Sequence, residues 1–435
     1  MKRWVIVGTG PAGVEAALEA RRRDAEAEIT IISEETERPI SRTALMYVLC
    51  GQLDAGGISP WAPDLFPGAS IRFLRARVKS LGNHVVGLHD GTTVPFDRLV
   101  LATGSVARSP PWPGADARGV GTFVTAQDLD WLAGELHGDA PRFPPLGTKD
   151  TPYRSREVRG GRAESPVVIG GGLIGIEVVE TLLAAKRRPV FLLRDDAFWP
   201  IALDETESKW IVHRLREHGV DVRTQSNVSS ITANEEGIQG IETDAGSIPC
   251  DLCIVAIGVR PNTAWLAGTI DLDEASGGIR VDEGLRTSAP NVFAAGDCAA
   301  VPQPDGKHRP ELLWYTGRDQ GRAAGRALAG DRRAVYRRGV AYNAAKLMDV
   351  EYMTAGNCEG TPAWRHQERG AVRSLLRIHT DPDSRVTGLS SLGRRWEVST
   401  FVRWIEEGRS LTWVRTHLRA ASFDTEWVPA WTEGS

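Results

Sequence analysis

Residues 4–34 read WVIVGTGPAGVEAALEARRRDAEAEITIISE. The apolar run Trp4–Val7 leads into a glycine cluster, Val14–Arg23 has helical composition, and Ile29–Ile32 is a second apolar run, so the order is strand, turn, helix, strand. The turn is Gly8-Thr9-Gly10-Pro11-Ala12-Gly13. Gly8 permits a tight turn, Gly10 lets the backbone approach a pyrophosphate, and Gly13 lets helix and strand pack closely. The helix N-terminus then offers free N–H groups and a positive dipole end to a diphosphate. Glu34 ends the second strand, 21 residues after Gly13. An acid at that place bonds the ribose hydroxyls of a dinucleotide.

The plan returns about 160 residues later, in VVIGGGLIGIEVVETLLAAKRRPVFLLR at 167–194. Gly170-Gly171-Gly172-Leu173-Ile174-Gly175 follows the strand predicted at Val167–Ile169. A helix over Ile174–Ala185 and a strand over Val190–Leu193 come next. Arg194 stands where an NAD site has its acid, and an arginine there meets a 2′-phosphate. Asp195 and Asp196 directly after it weigh the other way, so the lean to NADPH leaves NADH open. Two such units in one chain suggest two dinucleotides held face to face, one donating hydride and one accepting it.

At 435 residues the chain exceeds the ~250–300 residues at which one core stops growing, so two or three domains are expected. Glycine is high, at 46 residues, and such an excess asks where backbone needs freedom. With 52 Lys+Arg against 56 Asp+Glu the net charge is −4, which excludes the basic excess of a nucleic-acid binder. No apolar run approaches the ~18–20 residues of a membrane span. A strand starting almost at residue 1 leaves no room for a cleavable signal, so a cytoplasmic protein is expected. Five cysteines argue against a disulfide scaffold.

Residues 138–165, rich in Pro, Gly and Arg, read as an exposed inserted loop, a connection or a partner-docking element. Beyond residue 335 the composition shifts, with six of the 14 tryptophans (Trp364, Trp396, Trp404, Trp413, Trp427, Trp431) in the last hundred residues, which marks a separate C-terminal domain. There Leu411, Val414 and Leu418 recur at helical spacing beside Arg415 and Arg419. A core-facing helix is expected over one lying on a membrane surface. In Cys250-Asp251-Leu252-Cys253, a strand would send positions i and i+3 to opposite faces, so a structural pair is expected. The nine histidines form no metal cluster.

Three further segments carry a family resemblance. Leu101-Ala102-Thr103-Gly104-Ser105 resembles a strand-ending ATG segment, Ala256-Ile257-Gly258-Val259-Arg260-Pro261-Asn262 a return segment, and Asn291-Val292-Phe293-Ala294-Ala295-Gly296-Asp297 a second FAD signature. With the two glycine motifs, nearly the whole chain resembles the FAD- and NAD(P)-dependent pyridine nucleotide oxidoreductases. The resemblance implies an α/β fold with two Rossmann-like domains and a C-terminal α+β domain. An FAD domain at 1–115 and 255–334 is interrupted by an NAD(P) domain at 116–254, which carries the 138–165 loop. The last domain, 335–435, would serve a homodimer interface or the acceptor site.

The resemblance also implies roles. Gly8, Gly10, Pro11, Ala12, Gly13, Glu34, Arg42, Val78, Ala102, Thr103, Gly104, Gly258, Gly296, Asp297 and Trp314 join the cofactor-binding set, with Gly170, Gly172, Leu173, Ile174, Gly175 and Arg194 for NAD(P)H. Asp297 would bond the ribityl chain and flavin diphosphate region, and the helix beginning near Trp314-Tyr315 would aim its N-terminus at the flavin pyrimidine ring. Glu177 matches the glutamate that positions the nicotinamide, although Tyr47 stands where relatives have its lysine partner. The segment Arg38–Gly51 is similar to that of ferredoxin and rubredoxin reductases, with Arg42 and Leu45 matching. It lacks the C-x4-C pair of disulfide reductases, and Cys50 falls about a turn too late for a single redox cysteine, so a packed Cys50 is expected. The implied activity is hydride transfer from NAD(P)H to flavin N5, then electron delivery to a small iron–sulfur protein. Quinone or oxygen as acceptor, and a flavin-bound signalling or assembly role like that of apoptosis-inducing factor, are the alternatives.

Overall fold

β-Branched and apolar runs buried on both faces build the first sheet. A computed structural model of the chain describes residues 2–138, 142–143, 161, 163–368 and 373–423. Most of the 138–165 insertion, together with Trp427 and Trp431, lies outside the described residues. The strands used below are β1 (Arg3–Val7), β2 (Glu28–Ser33), β3 (Arg72–Arg75), β4 (Arg98–Leu101), β5 (Val120–Gly121), β6 (Pro166–Ile169), β7 (Val190–Leu192), β8 (Leu252–Val255), β9 (Val292–Ala294), β10 (Tyr342–Leu347), β11 (Val350–Gly356), β12 (Trp364–Glu368), β13 (Ser374–Thr380) and β14 (Val386–Leu392). The helices are α1 (Pro11–Arg23), α2 (Ala126–His137), α3 (Leu173–Ala184), α4 (Glu205–Glu217), α5 (Trp314–Leu328), α6 (Val398–Glu406) and α7 (Leu411–His417).

The chain forms two compact units: Met1–Gly170, Val178–Leu192 and Ser226–Arg337 make the first; Gly171–Glu177, Leu193–Gln225 and Arg338–Ser435 make the second. In the first unit a parallel sheet runs β9-β4-β1-β2-β3. Trp4, Val5, Ile6 and Val7 of its central strand are all buried, as a sheet covered on both faces requires. A second parallel set in this unit runs β7-β6-β8-β5. The fold is α/β, with two Rossmann-like dinucleotide-binding domains and a C-terminal α+β domain. No helix among the described residues is long and apolar enough to cross a membrane.

Helices α1 and α5 pack unusually close. Gly317, Gly321 and Gly325 recur every four residues and so share one face of α5. A Cβ on Gly321 would lie 2.3 Å from Ala12 O, and one on Gly325 2.5 Å from Ala16 O. These are backbone atoms of α1 and cannot swing aside. Gly321→Ala gains about 1 kcal/mol of helix propensity but must push α1 away, a strain that costs about 1–3 kcal/mol. We expect a lower Tm and faster FAD release for this variant; a Tm raised over the parent would contradict the close packing.

In the second unit the antiparallel sheet runs β10-β11-β14-β13-β12. One sheet face packs on α6 and α7 around Trp396, Phe401, Trp404 and Val414. Phe401 and Trp404 meet edge-to-face at 5.1 Å, and Trp404 and Trp413 at 5.5 Å, a favoured aromatic geometry. Trp396 and Trp404 are therefore core residues. Val414 and Leu418 are buried in the same core, so the helical apolar stripe faces the protein.

Candidate active site

Sterics divide the glycines of the first turn into two kinds. Gly8 has φ +112°, and a Cβ on it would lie 2.0 Å from Ala102 O; one on Gly13 would lie 2.0 Å from Gly8 O. Strand, turn and helix cannot meet here with larger residues. A Cβ on Gly10 meets nothing within 4 Å, so protein packing does not demand this glycine, and the space beside it is open. Gly10 is the N-cap of α1, with no side-chain cap bond and no acid in the first turn. Its N–H groups and dipole are left for an anion. The second turn repeats this division. A Cβ on Gly170 (φ +120°) would lie 2.3 Å from Ala256 O, whereas one on Gly172 meets nothing within 4 Å.

Two neighbouring acids at the end of β2 have different surroundings. Glu34 Oε2 is buried without a hydrogen-bond partner among the described residues, with Arg77 Nε at 3.8 Å. Burial pushes its carboxyl up from the usual range, opposed by Arg77. A buried acceptor with no hydrogen-bond donor among the described residues, one strand away from open space at Gly10, suits a ribose hydroxyl. Glu35 is fully engaged instead. It accepts from Arg42 Nη2 at 2.6 Å, from Arg42 Nε at 3.1 Å and from Ala126 N, the first residue of α2, at 3.0 Å.

Arg42 is thereby held in place, and its Nη1 donates to Ser105 O at 3.1 Å. Ser105 Oγ in turn donates to Asp297 Oδ2 at 2.7 Å. Burial pushes the Asp297 carboxyl up, while the Ser105 bond and the Arg42 charge oppose this. Three segments distant in sequence thus meet at one point. Two of the resembling segments also meet: Val259–Pro261 pairs antiparallel with Ser105–Ala107, and Thr103 Oγ1 donates to Asn262 O at 2.9 Å.

The backbone at Gly296 is fixed by a buried relay absent from the sequence reading. Gly296 N donates to Gln320 Oε1 at 2.8 Å, Gln320 Nε2 to Glu311 Oε2 at 3.0 Å, and Tyr336 Oη to the same oxygen at 2.6 Å. Burial and Glu311 push the Tyr336 hydroxyl up, so it stays protonated as the donor. Trp314 opens α5, whose N-terminus has no side-chain cap bond and no acid in its first turn. Its indole Nε1 is buried without a hydrogen-bond partner among the described residues. The Trp61 ring lies 6.5 Å away and the Arg318 guanidinium 5.7 Å. Pro11 is the first residue of α1, Ala12 and Ala102 are buried, and Val78 is half-buried against the core. Gly104 takes φ +66° and Gly258 φ +97°. These residues fit an FAD: two buried polar atoms have no hydrogen-bond partner among the described residues, and a helix N-terminus borders open space at Gly10.

In the second unit Leu173 and Ile174 begin α3 and Gly175 follows. Glu177 is half-buried on the same helix. The Arg194 side chain is 80% exposed, with Nε 3.4 Å from Asp195 Oδ1. The cysteines are all free. Burial pushes the thiols of Cys50, Cys253 and Cys298 up, and the Thr181 hydroxyl bonds Cys50. A thiol so shifted is a poor thiolate at neutral pH.

The sequence profile of the pyridine nucleotide-disulphide oxidoreductase family matches residues 2–321. A probable ferredoxin reductase of Castellaniella defragrans is 30% identical over 308 residues, 70% of this chain and 69% of that one. The ferredoxin–NAD(+) reductase component of the p-cumate 2,3-dioxygenase system of Pseudomonas putida is 26% identical over 418 residues, 94% of this chain and 95% of that one. The solved putidaredoxin reductase, in covalent complex with putidaredoxin, superposes with a TM-score of 0.78 at 24% identity, covering 97% of this chain and 99% of that one. The chain belongs to the pyridine nucleotide-disulphide oxidoreductase family and is an FAD-dependent NAD(P)H oxidoreductase.

Proposed function

We propose that the protein takes electrons from NAD(P)H and delivers them to a small iron–sulfur protein of the ferredoxin or rubredoxin type. The observation that carries the two-nucleotide reading is the repeated gap at Gly10 and Gly172, where neither glycine is required by the protein. The names of the relatives support the choice of acceptor. On this reading 1–115 with 255–334 holds FAD, and 116–254 holds the nicotinamide dinucleotide.

Bound flavin supplies hydride acceptance followed by electron release. The chain's own residues bind and orient. Glu34 accepts from the FAD ribose, and the N-terminus of α1 faces the diphosphate. Asp297, steadied by Ser105, accepts from flavin-side hydroxyls. The positive N-terminus of α5 stabilises negative charge developing beside Trp314. Leu173, Ile174 and Gly175 line the second turn, Arg194 stands at its ribose end, and Glu177 orients the nicotinamide. No cysteine carries a step.

Steady-state turnover with NADH and with NADPH against a panel of ferredoxins, rubredoxins, a soluble quinone and oxygen tests the acceptor. Reduction of at least one iron–sulfur protein faster than quinone or oxygen is expected. Rapid quinone or oxygen reduction with no iron–sulfur protein reduced would overturn it.

A further inference from the structure

The second unit binds its own segment 194–204 from an unexpected side. After β7, Leu193 N donates to Arg223 O at 2.8 Å, and Asp195 O accepts from Gln225 N at 3.0 Å. These bonds anchor the start of the segment. Asp204 and Glu207 form a capping box on α4 and anchor its end. Between them Trp199 takes φ +50°, a left-handed conformation that is strained for an aromatic residue.

Phe198 N donates to Ser208 Oγ of α4 at 2.7 Å, and further residues that hold this middle stretch come from the C-terminal sheet. The Tyr352 ring of β11 lies 5.0 Å from that of Trp199. Arg377 Nη2 of β13 donates to Ala202 O at 2.8 Å. Arg377 is itself held by several bonds: Nε donates to Glu207 Oε1 at 3.0 Å, Nη2 lies 2.7 Å from Glu207 Oε2, and Nη2 bonds Ser390 Oγ at 3.2 Å. Arg365 of β12 bonds Asp204 Oδ2. Glu207 is 1% exposed and Arg377 7%. A buried ion pair is a poor source of net stability and is better suited to fixing one arrangement. At the other extreme Ile201 is 91% exposed, and Arg194 projects into solvent.

We propose that Arg377, Tyr352 and Arg365 are positioning residues for the adenosine end of the nicotinamide dinucleotide, because they hold the far half, 199–204, of the segment whose near half carries Arg194. The proposal rests on the second glycine turn being the NAD(P)H site. The C-terminal sheet then acts on nucleotide affinity and on the choice between NADH and NADPH, without touching the nucleotide or the flavin.

The test uses FAD-replete protein with ferricyanide as acceptor and the variants Arg377→Met, Tyr352→Leu and Arg365→Ala. ADP-ribose, which carries the adenosine end and no nicotinamide, serves as inhibitor. The KM for NADH or NADPH and the Ki for ADP-ribose are expected to rise together, by about tenfold for Arg377→Met. Both kcat and FAD content should stay within about twofold. Unchanged KM and Ki in FAD-replete variants would overturn the proposal, as would a fall in kcat and FAD content at unchanged KM. If Arg377→Met does not fold, the other two variants decide by the same criteria. Gly172→Val separates the layers: KM unchanged in Gly172→Val removes the underlying site, while KM raised there and unchanged in the other variants removes only the positioning role.

Discussion

Gly10→Val is expected to give a folded chain that purifies without flavin. The new Cβ meets no protein atom within 4 Å, and Gly10 already has φ −70° and ψ 176°, which valine adopts without strain. The cost falls on the ligand, because the side chain fills the space left for a diphosphate. FAD affinity should fall on the order of a hundredfold or more, equivalent to ~2.7 kcal/mol. Gly8→Val behaves differently. Its Cβ would lie 2.0 Å from a carbonyl oxygen at a positive φ, so it should lower apoprotein stability by several kcal/mol. Thermal unfolding of the two apoproteins, beside FAD titration, checks this. Equal destabilisation by both would refute the assignment of Gly10 to ligand approach.

Glu34→Leu should move stability and FAD affinity in opposite directions. Burial raises the folded-state carboxyl above its ordinary value. Such a group favours the folded apoprotein when protonated and opposes it once pH climbs past the unfolded value toward the raised folded one. At neutral pH the variant apoprotein should be more stable by about 1 kcal/mol, and the gain should shrink as pH falls into the carboxylate range. The lost ribose acceptor should weaken FAD about tenfold to a hundredfold. Apoprotein melting across pH and FAD titration are the two measurements. A variant that loses stability at neutral pH, or binds FAD as tightly as the parent, would contradict the role.

The glycine turns were legible because their spacing is imposed by one contact local in sequence, Gly13 against Gly8 O, one between neighbouring strands, Gly8 against Ala102 O, and a ligand. The helix predicted from Val14 begins three residues earlier, at Pro11, since proline suits the first helical turn. Sequence alone could not divide labour between Glu34 and Glu35. Only the fold brings Arg42 and Ala126 to one of them and leaves the other without a donor. The glycines at 317, 321 and 325 were a visible signal, a period of four, whose meaning needs the partner helix. The pairing of Arg377 with Glu207 spans 170 positions, and neither residue stands in a recognisable motif. The tryptophan-rich end was legible as a shift in composition, yet its aromatics suited a core or an interface equally until Trp396 and Trp404 were located inside.

The most direct test of two dinucleotides at two turns compares Gly10→Val with Gly172→Val by flavin content and by anaerobic stopped-flow reduction with NADH and NADPH. The structure predicts that Gly10→Val loses its flavin. It predicts that Gly172→Val keeps flavin with a normal visible spectrum but is reduced far more slowly by either nucleotide at limiting concentration. A Gly172→Val protein reduced at the parental rate, or one that loses FAD as Gly10→Val does, would contradict it.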